Sequence, residues 1–126
     1  MSAEVYEVPD ALLMEAGLGV GSGIVIRCDV PGCVHVPLTE LRGPVIAPGK
    51  RGLKLARLRR ILSAIADDAP MAMAVPIYRE EGAAQAVILD GAHRYAVALK
   101  LGCATLPCIY MSREDAVSGF RFPECL

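Results

Sequence analysis

The sequence predicts one α+β domain, on three observations. The chain has 126 residues, the length of a single domain. Short β-branched runs bounded by Gly or Pro alternate with segments whose apolar residues recur at the helical period. No repeat, linker or low-complexity stretch divides it.

From the N terminus, Pro9-Asp10 followed by Ala11 to Ala16 and Gly17 reads as a short helix with a glycine stop. Gly17 to Gly23 is rich in glycine, but it follows a helix-like segment and lacks the dinucleotide-loop spacing, so it reads as a flexible turn. Ile24 to Cys28 and Cys33 to Val36 flank Pro31-Gly32 and predict a hairpin. After Pro48-Gly49 a helix is expected from Lys50 to about Ala66, with Leu58, Ile61, Leu62 and Ile65 as its buried stripe. In that helix Lys50, Lys54 and Arg57 would share one face of the first two turns.

Met73 to Tyr78 reads as a strand that Pro76 keeps off a central ladder. The apolar run from Gln85 to Leu89 reads as an interior strand. A helix buried on most sides follows to Leu101 and stops at Gly102. Leu106 to Tyr110 is the next strand, and the S-x-x-D pattern of Ser112 to Asp115 starts a last helix.

Composition excludes several function classes. The chain is 54% apolar with a mean hydropathy of +0.43, yet Gly, Pro or charge interrupts every apolar run well short of the roughly 18–20 residues of a spanning helix. Glu4 and Glu7 stand where a secretory leader carries bases. Disorder is excluded by the high hydrophobicity and low net charge. The five cysteines fit no C-x-x-C motif. A Cys28–Cys33–His35 metal cluster is conceivable, but reduced core thiols in a cytoplasmic protein fit the apolar surroundings better.

The formal net charge of −1 conceals an uneven distribution. Between Arg42 and Arg60 stand Arg42, Lys50, Arg51, Lys54, Arg57, Arg59 and Arg60, with no acid among them. A basic block in a neutral chain points to an anion, either a phosphate ligand or nucleic acid, with a solvated helix face as the bland alternative.

The sharpest chemical feature is Asp90-Gly91-Ala92-His93-Arg94 between the interior strand and its helix. A helix start offers unpaired N–H groups and a positive dipole end, and small residues at Gly91 and Ala92 leave those groups open to phosphate. His93 and Arg94 add donors, Arg94 in bidentate fashion. Asp90 can cap the helix, hold magnesium or accept a proton from an incoming hydroxyl. The candidate catalytic groups are therefore Asp90 and His93. Read as structure alone, Asp90 is only a cap, His93 a half-buried polar residue and Arg94 a surface cation.

The segment Val87-Ile88-Leu89-Asp90-Gly91-Ala92-His93-Arg94-Tyr95-Ala96, followed by Leu101-Gly102 and Leu106-Pro107, resembles the ParB/sulfiredoxin superfamily. Members share a hydrophobic strand, a Gly-x-His-Arg or Gly-Glu-Arg-Arg turn, a helix ending in Leu-Gly and a strand introduced by Pro. Upstream, Val36-Pro37-Leu38 with Leu41, the Lys50–Ala66 segment and Val75-Pro76-Ile77 fall in the same order, so the likeness runs from Val34 to Gly119. It implies a mixed sheet packed with helices over residues 34–126, preceded by an N-terminal extension, residues 1–33, with a short helix and strand.

The resemblance also implies a nucleoside-triphosphate site. Gly91, Ala92, His93 and Arg94 would cradle the phosphates, with cations from Lys50, Lys54 and Arg57, and ATP or another nucleotide with magnesium as the ligand. Sulfiredoxin reductase chemistry needs a cysteine where this chain has Ala92, so that activity is not expected. Asp90 ahead of the turn is similar to the free-amino-acid kinases of the superfamily, whose glutamate base precedes the long helix. Here no acid stands between Glu40 and Asp67, which leaves Glu40 or Asp90 for that role. A partition protein carries a further DNA-reading domain, for which a chain ending at Leu126 has no room.

The first functional expectation is a nucleotide-binding enzyme, a kinase or phosphohydrolase, acting on an unidentified small-molecule acceptor. The second is a non-catalytic nucleotide or nucleic-acid binding module, for which stacking aromatics are few, with two Phe and four Tyr. No membrane partner is expected.

Overall fold

Each apolar strand of the chain finds cover on one or both faces. The computed structural model describes residues 3–125. In chain order come β1 (Glu4–Val5), α1 (Asp10–Glu15), β2 (Val34–Pro37), a 3-10 turn (Leu38–Glu40), β3 (Leu41–Arg42), β4 (Leu53–Lys54) and α2 (Leu55–Ala66). Then follow β5 (Val75–Tyr78), β6 (Ala86–Ile88), α3 (Ala92–Leu101), β7 (Thr105–Tyr110) and α4 (Arg113–Phe120). A five-stranded mixed sheet has the order β2-β7-β5-β6-β3, and β1 with β4 forms a separate two-stranded ribbon.

Side chains of β5 and β6 alternate between two cores. Val75, Ile77, Ala86 and Ile88 join the main core with Leu58 and Leu62 of α2 and Val97, Ala98 and Leu101 of α3. Tyr78, Val87 and Leu89 face the other way, against Ala116 of α4 and Phe122. The Tyr78 and Phe122 rings meet edge to face at 5.1 Å. A strand covered on both sides needs no polar alternation, which is why Ala86 to Leu89 is continuously apolar. Val8, Leu12, Leu13 and Ile26 belong to the same main core, so the first third of the chain packs directly on α2 and the sheet.

Several local expectations hold. Ser112 caps α4, its hydroxyl accepting from the Asp115 N–H at 3.1 Å. Gly102 closes α3 in the left-handed region at φ 68°. The Gly17–Gly23 turn binds no strand end; instead the Gly21 and Gly23 N–H groups donate to the Lys100 and Leu101 carbonyls at 3.0 and 2.8 Å, satisfying the last turn of α3.

Four expectations need correction. The Pro31-Gly32 turn forms, with the Cys33 N–H donating to the Val30 carbonyl at 3.1 Å, but its arms do not pair as a hairpin. β2 lies antiparallel on β7, while Cys28 makes an isolated parallel bridge to Met71. A longer partner at the sheet edge outcompetes the short local one.

The long helix begins at Leu55, not Lys50, because Leu53 and Lys54 extend to pair with Val5 and Glu4 of β1. That pairing leaves Leu53 only 1% exposed, a burial a helical Leu53 would forgo. Lys50 and Lys54 therefore do not share a helical face with Arg57.

Pro76 lies in β5, the central strand. Its carbonyl accepts from the Leu89 N–H at 3.0 Å, so its missing donor faces β6 just past the end of the β5–β6 ladder, where only one bond is lost. Finally, α3 is less enclosed than its composition implies, since Leu99 is 52% exposed.

Candidate functional site

Helix α3 starts at a corner that glycine fits best. Gly91 is its N-cap at φ 112° and ψ 32°, in the left-handed half of conformational space. A β-carbon there would lie 3.1 Å from Arg94 Nη2 and 3.3 Å from Val75 Cγ1. Asp90 is not the cap: no side-chain cap bond forms, because Asp90 sits one position before the residue whose side chain can reach the first-turn amides. It remains exposed beside the turn.

The first helical bond runs from the Tyr95 N–H to the Gly91 carbonyl at 2.9 Å. The N–H groups of Ala92, His93 and Arg94 thus precede the ladder and face outward at the positive end of the helix dipole. Nearby, Gly43 lets the Tyr95 ring lie on the backbone, since a β-carbon at Gly43 would fall inside that ring.

His93 ties this turn to α2. The backbone N–H of Lys54, the N-cap residue of α2, donates to His93 Nε2 at 2.8 Å. An accepting Nε2 carries no proton, so the ring is neutral with its proton on Nδ1. Burial first, then the charges of Arg57, Lys54 and Arg51, push the His93 pKa below its ordinary 6.5, against a smaller upward pull from Asp90. Arg94 reaches back from the turn, its Nη1 donating to the Met73 carbonyl at 2.7 Å. Its Nε and Nη2 lie over Gly91.

The structure therefore brings Gly91, Ala92, His93 and Arg94 together with Lys54 and Arg57, and adds Arg51 to the group acting on His93. Lys54 and Arg57 also line a cleft of about 410 Å³ with Arg59 and Arg60 at the N-terminal end of α2. Lys50 stands apart in the Ala47–Lys50 turn, its N–H donating to the Ala47 carbonyl at 2.9 Å. Arg51 and Arg60 were visible in the basic block; Arg60 keeps its helical place beside Arg57, whereas Arg51 lies ahead of α2 and not in its first turn.

Glu40 does not approach this turn. It pairs with Arg79 at 3.4 Å, past the C-terminal end of β5, whereas Val75 at the other end of β5 meets Gly91. Four residues of strand separate the two by about 13 Å. Asp90 is thus the carboxylate at hand.

Among the described residues no three His, Cys, Asp or Glu side chains converge as a metal site, so the Cys28–Cys33–His35 cluster is not formed. The Cys33 thiol is pushed up to about 11 by burial and by Cys28, and Cys108 up to about 12 by burial and by Cys33. Cys108 is buried in the core, whereas Cys33 is half-buried.

No family model and no curated protein matches the chain. Solved structures do. A sulfiredoxin from Arabidopsis thaliana superposes with a TM-score of 0.53 at 22% identity, over 65% of this chain and 86% of that one. A free serine kinase in complex with AMP gives 0.52 at 18% identity, over 71% of this chain and 34% of the kinase. The C-terminally truncated partition protein ParB from Caulobacter crescentus, complexed with CTP-gamma-S, gives 0.50 at 16% identity, over 74% of this chain and 52% of that one. The chain thus spans about a third of the kinase and half of that ParB. At these identities the likeness is one of fold.

Proposed function

We propose, from the ParB/sulfiredoxin-like fold that this chain has, that it binds a nucleoside triphosphate at the start of α3 and transfers or hydrolyses a phosphoryl group there. One observation carries the reading. The open N–H groups of Ala92, His93 and Arg94 and the cations Lys54 and Arg57 meet at a junction held by the Lys54–His93 bond. Fixed amides and cations around a phosphate are most of what phosphoryl transfer asks of a protein. The AMP and CTP-gamma-S complexed with two fold neighbours support the same ligand class.

Within this site the residues divide their work. Gly91 allows close approach to the phosphates, and Arg94 offers the Nε–Nη2 edge that Met73 leaves free. Lys54 and Arg57 neutralise charge from the side of α2. His93, its Nε2 already accepting, is a positioning residue and not a proton carrier. Asp90 is left to accept the proton of an acceptor hydroxyl. A single carboxylate fits a magnesium ion that arrives with nucleotide phosphates, because magnesium binds through one or two carboxylates plus phosphate and water. It does not fit a cage built by the protein alone.

A binding module without turnover is the second reading, favoured by the engagement of His93 and the lone carboxylate. ATP, CTP and ADP, each with magnesium, titrated into wild type, Arg94→Ala and Arg57→Glu, test the site. Loss of one charge-assisted bond, about 1.5–3 kcal/mol, weakens binding at least tenfold in each variant. Equal affinity in all three proteins overturns the assignment, and binding without turnover over a panel of small hydroxyl compounds selects the module.

A further inference from the structure

Two half-buried thiols, Cys28 and Cys33, meet where two separately anchored segments come together. Cys28 lies on a segment held to the connection between α2 and β5. It bridges Met71 in parallel register, the Arg27 carbonyl accepts from the Met71 N–H at 2.7 Å, and the Arg27 guanidinium pairs with Asp68 at 2.9 Å. Cys33 opens onto β2, the edge strand, which runs antiparallel on β7. Only Asp29 to Gly32 lies between them, and this turn packs on β7, since a β-carbon at Gly32 would stand 3.5 Å from Ile109 Cδ1. Long-range pairing on both sides thus fixes the two ends of the turn, and the Cys33 thiol hydrogen-bonds to Cys28.

The nearest other thiol is closed to exchange. Cys108 is 0% exposed, and its Sγ donates to the Leu106 carbonyl at 3.2 Å. On the open side, the Arg94 guanidinium is close enough to Cys28 for their charges to interact. A half-exposed thiol beside a cation and a hydrogen-bond donor is the setting of an attacking cysteine.

We propose that Cys28 and Cys33 form a reversible disulfide by exchange with a small-molecule disulfide, closing the turn at the sheet edge covalently. Cys33 holds its proton, pushed up to about 11 by burial and then by Cys28, so Cys28 attacks first. Its thiolate displaces one thiolate from oxidised glutathione and becomes a mixed disulfide. Once capped, Cys28 no longer bears the charge that helped to hold the Cys33 proton. Cys33 then gives up that proton, and its sulfur attacks Cys28 Sγ and expels the second glutathione thiolate. Two protein thiols are oxidised, one glutathione disulfide is reduced, and the two protons end on the two glutathione thiols. Because the fold holds the sulfurs together, it favours the bond, and the bond favours the fold by the same factor. Neither sulfur belongs to the phosphate cradle, and the exchange needs no nucleotide.

Equilibration of the whole protein in reduced and oxidised glutathione, followed by acid quenching and tryptic mass mapping, tests this on wild type, Cys28→Ser and Cys33→Ser. Melting curves confirm that each variant folds. Trypsin leaves both sulfurs in one peptide, Cys28–Arg42, and Cys108 in another, Leu101–Arg113. In wild type Cys28–Arg42 loses two hydrogens and regains them with dithiothreitol. Cys33→Ser retains glutathione on Cys28, whereas Cys28→Ser takes it up on Cys33 at least tenfold more slowly. The disulfide forms with an equilibrium constant at least tenfold larger in the native protein than in concentrated urea, and so raises stability by about 1.4 kcal/mol or more. A constant no larger than in urea would trace the bond to short spacing alone and overturns the proposal. So does an unaltered Cys28–Arg42 peptide, a cross-link to Leu101–Arg113, or glutathione trapped on Cys33 in preference to Cys28.

Discussion

The backbone N–H of Lys54 and Nε2 of His93, 39 residues apart in sequence, are hydrogen-bonded at 2.8 Å. The bond joins the start of α2 to the first turn of α3, so the N-termini of two helices converge. Both dipoles then present positive ends to the same region, alongside Lys54, Arg57 and Arg51. It also separates the atoms of Lys54: the main chain holds the junction, and the ammonium is left for the proposed anion.

Lys54→Ala and His93→Ala therefore separate these roles. The alanine at position 54 keeps the main-chain donor, so stability in urea stays within about 0.5 kcal/mol of wild type, while nucleotide affinity falls. The alanine at position 93 leaves a part-buried N–H without its acceptor and costs about 1–3 kcal/mol. Equal destabilisation by both would contradict the division.

The same bond gives a pH dependence with a definite sign. The native His93 pKa lies below 6.5, so the unfolded chain binds this proton more readily than the folded one. The contribution is complete above pH 6.5 and is lost as pH falls from there through the lowered native value. Melting temperatures of wild type should drop over that interval relative to His93→Ala. A difference between the two proteins that stays constant with pH counts against a neutral, accepting His93.

At Gly91, substitution by Ala forces a side chain into φ 112° and against the Arg94 guanidinium at 3.1 Å. Backbone strain of this kind costs about 1–3 kcal/mol. Because Arg94 is displaced, nucleotide affinity should fall at temperatures where the variant is still folded, as measured by calorimetry beside a melt.

Gly43 and Tyr95 should couple. Gly43→Ala drives a methyl group into the Tyr95 ring, an overpacking cost of about 1–3 kcal/mol. In Tyr95→Ala the ring is gone, and the second substitution should cost much less. A double-mutant cycle in urea giving a coupling below about 0.5 kcal/mol would show that the ring lies elsewhere.

Thiol reactivity near neutral pH should be led by Cys125, which is exposed. Cys33 and Cys108, held protonated with pKa values pushed to about 11 and about 12, should react slowly until the chain unfolds. Mass spectrometry of brief alkylation reads this directly. Rapid labelling of Cys108 would contradict its burial and raised pKa.

Local chemistry was legible in the sequence wherever it was self-contained. Ser112 and Asp115 close their own cap within one helical turn, Gly102 ends its helix by its own backbone freedom, and the Ala86–Leu89 run announces burial on both faces by lacking polar residues. The order of elements and the Gly91–Arg94 turn at the end of an interior strand were readable for the same reason.

Choices between distant partners were not. Whether Leu53 and Lys54 begin a helix or pair with β1, and whether Cys28 to Val36 folds on itself or on β7 and Met71, depends on which burial gains more area across the whole molecule. By itself the sequence determined an α+β domain with a phosphate-suited helix start. Only the tertiary structure decided which cations face that start and that His93 accepts and does not donate at Nε2. Those outcomes follow from long-range packing, and local propensity, worth tenths of a kcal/mol per residue, yields to it.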